Sequence, residues 1–231
     1  MSRVTDGIGG KDLKRKVLDI LRRQYLRDCL KEIILLPERQ VINPLISFLL
    51  HSEPITRWRS VMCIGDVLNQ LSFRDMEGVR VIMRRFMWSL NDESGGIGWG
   101  APESMCVSIA KNEKIAGEYG HMVVTYLDPD GNYLEYEPLQ RGLLWGVVYL
   151  AKARPELLQN AKPHLAKYLD SKDAHVRGFA AMTLKMICVP ELSDKLQALA
   201  ADQSSFVTYE EDRIRTYTVG SKAAEALEDW K

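Results

Sequence analysis

The sequence lacks the features that mark several common classes of protein. Its 31 basic side chains are matched by 31 acidic ones, so it has no surplus positive charge for sequence-independent binding of nucleic acid. No apolar run approaches the roughly 20 residues that span a bilayer, and the N-terminal stretch has no apolar core of a secretory signal. We therefore expect a cytoplasmic protein without membrane association, and nucleic acid is an unlikely partner.

Cysteine and histidine are also scarce, with four residues of each. The cysteines form no C-x-x-C pair, and each lies in an apolar helical pattern, which favours buried thiols in a reducing compartment. There is no G-x-S-x-G motif, and no cysteine has a recognisable histidine partner. The glycine-rich segment 95–100 follows no predicted strand, which argues against a phosphate-binding loop. We predict no catalytic residue, no metal and no cofactor.

The main positive feature is a helical register that returns about every forty residues. Apolar or small residues stand three, four and seven positions after an anchor residue, as Ala180, Ala181 and Leu184 follow Arg177. The other anchors are Lys14, Arg57, Gly100, Arg141 and Gly220. Such a period is typical of stacked helix pairs, in which each repeat buries its apolar face on its neighbours.

The stretch DSKDAHVRGFAAMTL resembles the second helix of a HEAT-type repeat, and it is most similar to the HEAT-like repeats first named for phycobilisome lyases. Two further stretches, SLNDESGGIGWGAPES and GNYLEYEPLQRGLLWG, resemble a family of uncharacterised bacterial HEAT-repeat proteins known from anaerobes. The resemblance implies a fold and assigns no activity. Some HEAT-repeat enzymes, such as deoxyhypusine hydroxylase, hold two irons through His-Glu pairs, and this sequence has no His-Glu dipeptide.

We predict an all-α fold, a right-handed α-solenoid of about five HEAT-like helix pairs with a small β-hairpin inserted near the C-terminus. Residues 1–10 are expected to form a flexible tail and 11–231 a single repeat domain. Within that domain, 11–36 is expected to be one N-terminal cap helix, because Pro37 ends its apolar stripe. The alternating segment 202–218 is the predicted hairpin, followed by a last helix over 219–229.

Three of the anchor arginines have an acidic residue four positions earlier, at the predicted start of the helix. The pairs are Glu53–Arg57, Glu137–Arg141 and Asp173–Arg177. This spacing predicts an ion pair one turn apart within each helix, with the acid also favoured by the helix dipole. We interpret these pairs as part of the scaffold.

The candidate binding site comes from two loops that are longer than a plain repeat needs, 91–103 and 128–145. Turns inside helix pairs lie on one edge of a solenoid, so we expect these loops to form a common rim with the inner face beside it. The candidate residues are Asp92, Glu93, Trp99, Glu103, Glu135, Tyr136, Arg141 and Trp145. Trp99 and Trp145 are the expected anchors, and the carboxylates favour a basic partner segment.

These residues predict a non-catalytic scaffold for a protein or peptide, and two alternatives stay open. The same carboxylates could belong to an enzyme or a cofactor-handling protein, either lyase-like or binding a hard cation. A basic face on the first helix could instead bind nucleic acid, as in HEAT-like DNA glycosylases. That face would contain Arg22, Arg23 and Arg27, joined by Arg80, Arg84 and Arg85.

Overall fold

The computed structural model describes residues 9–91 and 98–230. In this part of the chain the secondary structure consists of α-helices, one β-hairpin and short 3₁₀ turns before two of the helices. The helices are α1 (Gly10–Leu21), α2 (Leu26–Ile33), α3 (Glu38–Phe48), α4 (Pro54–Ser72), α5 (Met76–Leu90), α6 (Ala101–Lys111), α7 (Glu113–Leu127), α8 (Glu137–Ala153), α9 (Lys162–Tyr168), α10 (Ala174–Ile187), α11 (Ser193–Leu199) and α12 (Val219–Asp229). The hairpin strands are β1 (Ser205–Glu210) and β2 (Arg213–Thr218).

The chain forms two compact units. The first runs to Asn112 and also includes Glu211–Arg213, and the second contains Glu113–Glu210 and the chain from Ile214 onward. The all-α helical-repeat fold with a hairpin before the last helix is confirmed. None of the described helices combines the length and the apolar character that crossing a membrane requires. The prediction that residues 11–231 form a single repeat domain stays a prediction.

In the first unit, helices of successive pairs pack on each other. Helix α1 packs on α3, α2 packs on α4, and α4 packs on α6. The apolar residues of α4 are buried because this helix has neighbours on several sides, among them Val61, Ile64, Val67 and Leu68. The register seen in the sequence after Arg57 therefore marks a core helix.

The expected single helix over 11–36 is wrong, because the chain leaves the helix after Leu21 and starts α2 at Leu26. The break is stabilised by a buried arginine of α4. Arg59 donates to the carbonyl oxygens of Leu21 and Gln24 at 3.1 Å each, and also to that of Arg23. These carbonyls lie at the C-terminal end of α1, where no further helical turn supplies donors. The first two helices thus form a pair of their own.

In the second unit, α10 packs between α8 and α12, and strand β1 also packs on α10. The strand contact depends on Phe206, which is fully buried and meets Phe179 edge to face at 5.4 Å between ring centroids. Gly178 makes room for this ring, because a Cβ added there would lie 2.3 Å from Phe206 Cε1. An isolated hairpin is marginally stable, so this packing accounts for its order.

Substitution of Gly178 by alanine should lower the free energy of unfolding by about 2 kcal/mol, because the methyl group overlaps the Phe206 ring and forces it to move. Chemical denaturation measures the change. Gly117→Ala is the matched control, since a Cβ at this helical position of α7 meets nothing within 4 Å. The control should be neutral or stabilising by up to about 1 kcal/mol, and an equal loss in both variants would contradict the close approach.

Three of the four cysteines are buried as expected, namely Cys29, Cys63 and Cys106. The expectation is wrong for Cys188, which is exposed. Its position explains the exposure: Cys188 follows the last residue of α10 with a φ of 43°, so the helical register no longer directs its side chain inward.

Candidate functional site

Trp99 lies beside a surface pocket of the first unit. The pocket has a volume of about 180 Å³, and its lining comes from the ends of α3 and α5 and the start of α6. The lining residues are Ile46, Leu49, Leu50, Arg85, Phe86, Ser89, Gly98, Trp99 and Ala101. Trp99 is 40% exposed and Leu50 is 67% exposed, so both present apolar surface to solvent.

Two glycines fix the backbone around Trp99. Gly100 has a φ of 74°, a conformation that favours glycine, and a Cβ there would lie 2.9 Å from Leu49 Cδ2. A Cβ on Gly98 would lie 2.9 Å from the carbonyl oxygen of Ser89. Gly98 and Gly100 therefore allow the backbone on either side of Trp99 to pack closely against Ser89 and Leu49, and the indole lies at the surface.

Glu103 lies in the first turn of α6, and its carboxyl group faces inward. Its Oε2 is buried and accepts no hydrogen bond from the described residues. Burial raises the pKa of this carboxyl to about 7, although its own backbone N–H and the charge of Arg57 act in the opposite direction. Glu103 stands three positions after the anchor Gly100, in a slot that is apolar in other repeats, and its half-buried side chain ionises less readily than a surface carboxylate.

The predicted residues of the second loop have different environments in the second unit. Glu135 and Tyr136 are exposed, and Tyr136 precedes the first turn of α8. Trp145 is only 5% exposed; its indole N–H donates to the carbonyl oxygen of Tyr209 at 3.0 Å, and its ring stacks on Tyr149. This arrangement makes Trp145 a packing residue between α8 and β1, and its role as a binding anchor stays a prediction.

The eight candidate residues are divided among three places. Asp92 and Glu93 lie outside the described residues. Trp99 and Glu103 belong to the first unit, and Glu135, Tyr136, Arg141 and Trp145 belong to the second. The common rim expected for the two loops stays a prediction.

Of the three predicted pairs, the ion pairs of the described residues include Glu137–Arg141, whereas the carboxylates of Glu53 and Asp173 bind arginines outside their own helices. Arg22 binds Glu53 through both carboxylate oxygens, at 2.6 and 3.1 Å. In the second unit, Arg177 binds Asp202 at 2.7 Å. Glu53 precedes α4 and Asp202 follows α11, so both carboxylates lie outside the helix of the arginine that they bind, and helix packing brings them within reach.

Arg141 is the one arginine of the three that keeps a contact within its own helix. It lies 3.5 Å from Glu137 and binds Asp173, the residue that precedes α10, more closely. Hydrogen bonding to Asp173 raises the pKa of Glu137. Burial opposes ionisation of Asp173, but the hydrogen bonds from Glu137 and Arg141 hold its pKa below the usual value. The three side chains thus join two repeats through one charge network.

Asp173 also accepts hydrogen bonds from the backbone N–H groups of His175 and Val176, at 2.7 and 3.2 Å. Asp173→Ala should therefore lower the free energy of unfolding by about 1–2 kcal/mol, since the variant loses both the helix cap and the ion pair. Asp173→Asn keeps a capping oxygen and should recover part of that loss. Thermal unfolding of both variants measures the difference, and equal losses would show that the cap contributes nothing.

Three arginines of the suggested basic face bind carboxylates of their own unit, and a fourth binds a neutral amide. Arg23 binds Glu32 at 2.8 Å, and Arg84 binds Glu77 at 2.7 Å. Arg80 shares Glu77, and Arg85 donates to the side-chain oxygen of Asn43. The side chains that suggested a nucleic-acid surface are thus engaged by acceptors on their own unit.

The described residues contain no group of three or more His, Cys, Asp or Glu side chains that could hold a metal ion. The residues that sequence reasoning missed are the apolar ones around Trp99, above all Leu50. A signal for Leu50 was present, because the consecutive pair Leu49–Leu50 ends a helix and the two side chains of such a pair cannot both face inward.

No protein-family model matches the chain, and no curated protein matches it. Among solved structures, an engineered protein from the Northeast Structural Genomics Consortium is similar with a TM-score of 0.51 and 13% identity, and the match covers 94% of this chain and 96% of that one. A designed armadillo repeat protein is similar with a TM-score of 0.48 and 16% identity over 94% and 99% of the two chains. At these identities the likeness concerns the fold alone.

Proposed function

We propose that the protein is a non-catalytic scaffold that binds a protein or peptide segment. The observation that carries the proposal is the pocket beside Trp99, where a half-exposed indole and the exposed Leu50 flank a concave apolar surface. Buried aromatic contacts supply much of the affinity of protein interfaces, and an indole at a pocket edge is well placed to be covered. The volume of about 180 Å³ suits a single apolar side chain of the partner.

The charged side chain that lines the pocket favours a partner with a polar group beside its apolar side chain. Arg85 lines the pocket and is held by Asn43 at 2.7 Å, so its charge is fixed at the edge. The acidic rim that favoured a basic partner included Glu103, whose carboxyl is buried. The basic nature of the partner therefore depends on Asp92, Glu93 and Glu135.

The helical-repeat fold supports a binding role, because repeat arrays present extended surfaces on rigid elements. The resemblance of the sequence to HEAT-like repeat proteins agrees with such a role and adds no activity of its own. We infer that loop 91–103 takes part in binding in the first unit, together with the residues near the ends of α3 and α5 that line the Trp99 pocket. In the second unit, loop 128–145 is the proposed binding segment.

Affinity capture from the native cell tests the proposal, with the wild-type chain, Trp99→Ala and Trp88→Ala as baits. Trp88 is a matched control, since it is an exposed tryptophan of α5 that does not line the pocket. We expect Trp99→Ala to lose at least about 90% of a specific partner, as about 1.4 kcal/mol is a tenfold change in affinity. Trp88→Ala should retain it. Equal recovery by all three baits would refute the proposal.

A further inference from the structure

A second apolar groove lies between α2 and α4 of the first unit, and it shares no residue with the pocket beside Trp99. Its volume is about 360 Å³. The residues that line it are Leu30, Lys31, Ile34, Asp66, Asn69, Gln70 and Phe73. Phe73 is 72% exposed and Ile34 is also exposed, so two large apolar side chains face solvent at one groove.

The groove has an unsatisfied hydrogen-bond acceptor. Oε1 of Gln70 is buried, and none of the described residues donates a hydrogen bond to it. Because this oxygen has almost no solvent-accessible surface, a ligand in the groove cannot reach it without a movement of Gln70. Recognition therefore depends on the charge and the apolar side chains of the groove.

The charge of the groove is positive. Asp66 is neutralised by Lys111, whose Nζ lies 2.6 Å from Asp66 Oδ1. Lys31 is exposed, and within the described residues no carboxylate forms an ion pair with it. Lys31 is thus the charged group still open to a ligand, and it favours a carboxylate beside the apolar contacts.

The shape of the groove suits a helix. Asp66 and Gln70 lie near the end of α4 and Phe73 directly follows it, so the three residues cover seven residue steps, about 10 Å or two helical turns. Across from them, Leu30 of α2 and Ile34, the residue that follows α2, lie one turn apart. A helix that lies in such a groove presents apolar residues at positions i and i+4 or i+3, and its polar flank stays in water.

We propose that the groove between α2 and α4 binds a short amphipathic helix of a partner protein, with two apolar residues one turn apart and an acidic residue beside them. The apolar residues pack on Ile34 and Phe73, and the acidic residue pairs with Lys31. The proposal goes beyond the protein-binding role of the Trp99 pocket and does not depend on it.

The test uses a phage-displayed library of random 16-residue peptides, selected on the full-length wild-type chain and on Val81→Asp, Phe73→Asp, Lys31→Glu and Trp99→Ala. Val81 is exposed on α5 and does not line the groove, so Val81→Asp is the matched control for Phe73→Asp. We expect wild type, Val81→Asp and Trp99→Ala to enrich peptides with apolar residues one turn apart and a flanking Asp or Glu.

Synthetic copies of the enriched peptides should lose at least about tenfold in affinity for Phe73→Asp. Selection on Lys31→Glu should replace the flanking acid by Lys or Arg, an exchange that a purely apolar groove would not produce. The proposal is overturned if the enriched peptides show no acidic bias, or if they bind Phe73→Asp and wild type equally well. Peptides that fail on Trp99→Ala and persist on Phe73→Asp would support the Trp99 pocket and overturn the groove proposal.

Discussion

Asp212→Asn should lower the free energy of unfolding by about 3–5 kcal/mol, the loss expected when a buried charge is left without its counter-ion. Asp212 binds Arg59 through both carboxylate oxygens, at 2.8 Å each, and it accepts the backbone N–H of Leu26 at 2.7 Å. Arg59 is buried, and its other donors are taken by carbonyl oxygens near the end of α1. Urea denaturation at neutral pH measures the loss.

The substitution to asparagine is chosen because Asp212 has a φ of 60°, a conformation that asparagine tolerates better than alanine does. A double-mutant cycle isolates the ion pair: in an Arg59→Met background, Asp212→Asn should cost far less than in the wild type. Asp170→Asn is the control for a surface ion pair, that with Lys195, and it should cost at most about 1 kcal/mol. A loss for Asp212→Asn no greater than that of the control would contradict a structural role for the pair.

Glu103→Gln should stabilise the protein by about 3 kcal/mol above pH 7 and by almost nothing near pH 4. Burial raises the pKa of Glu103 to about 7 in the folded chain, from the ordinary value of about 4.5 for a solvated glutamate. As the pH rises between these values, the unfolded chain releases this proton while the folded chain keeps it. The contribution of Glu103 to stability therefore falls as the pH rises, and a neutral amide of the same size does not have this dependence.

Chemical denaturation at a series of pH values from 4 to 8 checks this prediction. The difference between Glu103→Gln and wild type should grow with pH and level off above the folded pKa of Glu103. Arg57→Gln provides a second comparison, because the charge of Arg57 favours the ionised carboxyl and its removal should raise the pKa further. Parallel stability curves for wild type and Glu103→Gln would mean that Glu103 is solvated.

The sequence predicted those parts of the fold that depend on local patterns. The apolar register after Arg57 predicts a helix in this part of the chain, and α4 extends over Pro54–Ser72. The alternation of residues predicted the hairpin, and the apolar register that follows it predicted a last helix over 219–229. The bounds of α12, Val219–Asp229, agree with this prediction. In these segments local propensity and tertiary packing favour the same conformation.

Long-range contacts set the features that the sequence did not predict. The break after Leu21 depends on Arg59, about forty residues away, and no residue between Arg22 and Tyr25 is a glycine or proline that would mark it. For the arginine pairs, the sequence could not distinguish the carboxylate one turn away from that of the next repeat. Glu103 was recognisable as a polar residue in an apolar slot, and only its packing gives the buried carboxyl oxygen.

The central claim is that the surface around Trp99 contacts another protein, and site-specific photo-crosslinking tests it most directly. A photoreactive phenylalanine analogue at Leu50, which is exposed and lines the Trp99 pocket, is compared with the same analogue at the exposed Val81, which does not. In cells that naturally make the protein, we predict a discrete protein crosslink from position 50 and none from position 81. No crosslink from position 50, or the same products from both positions, would contradict the account.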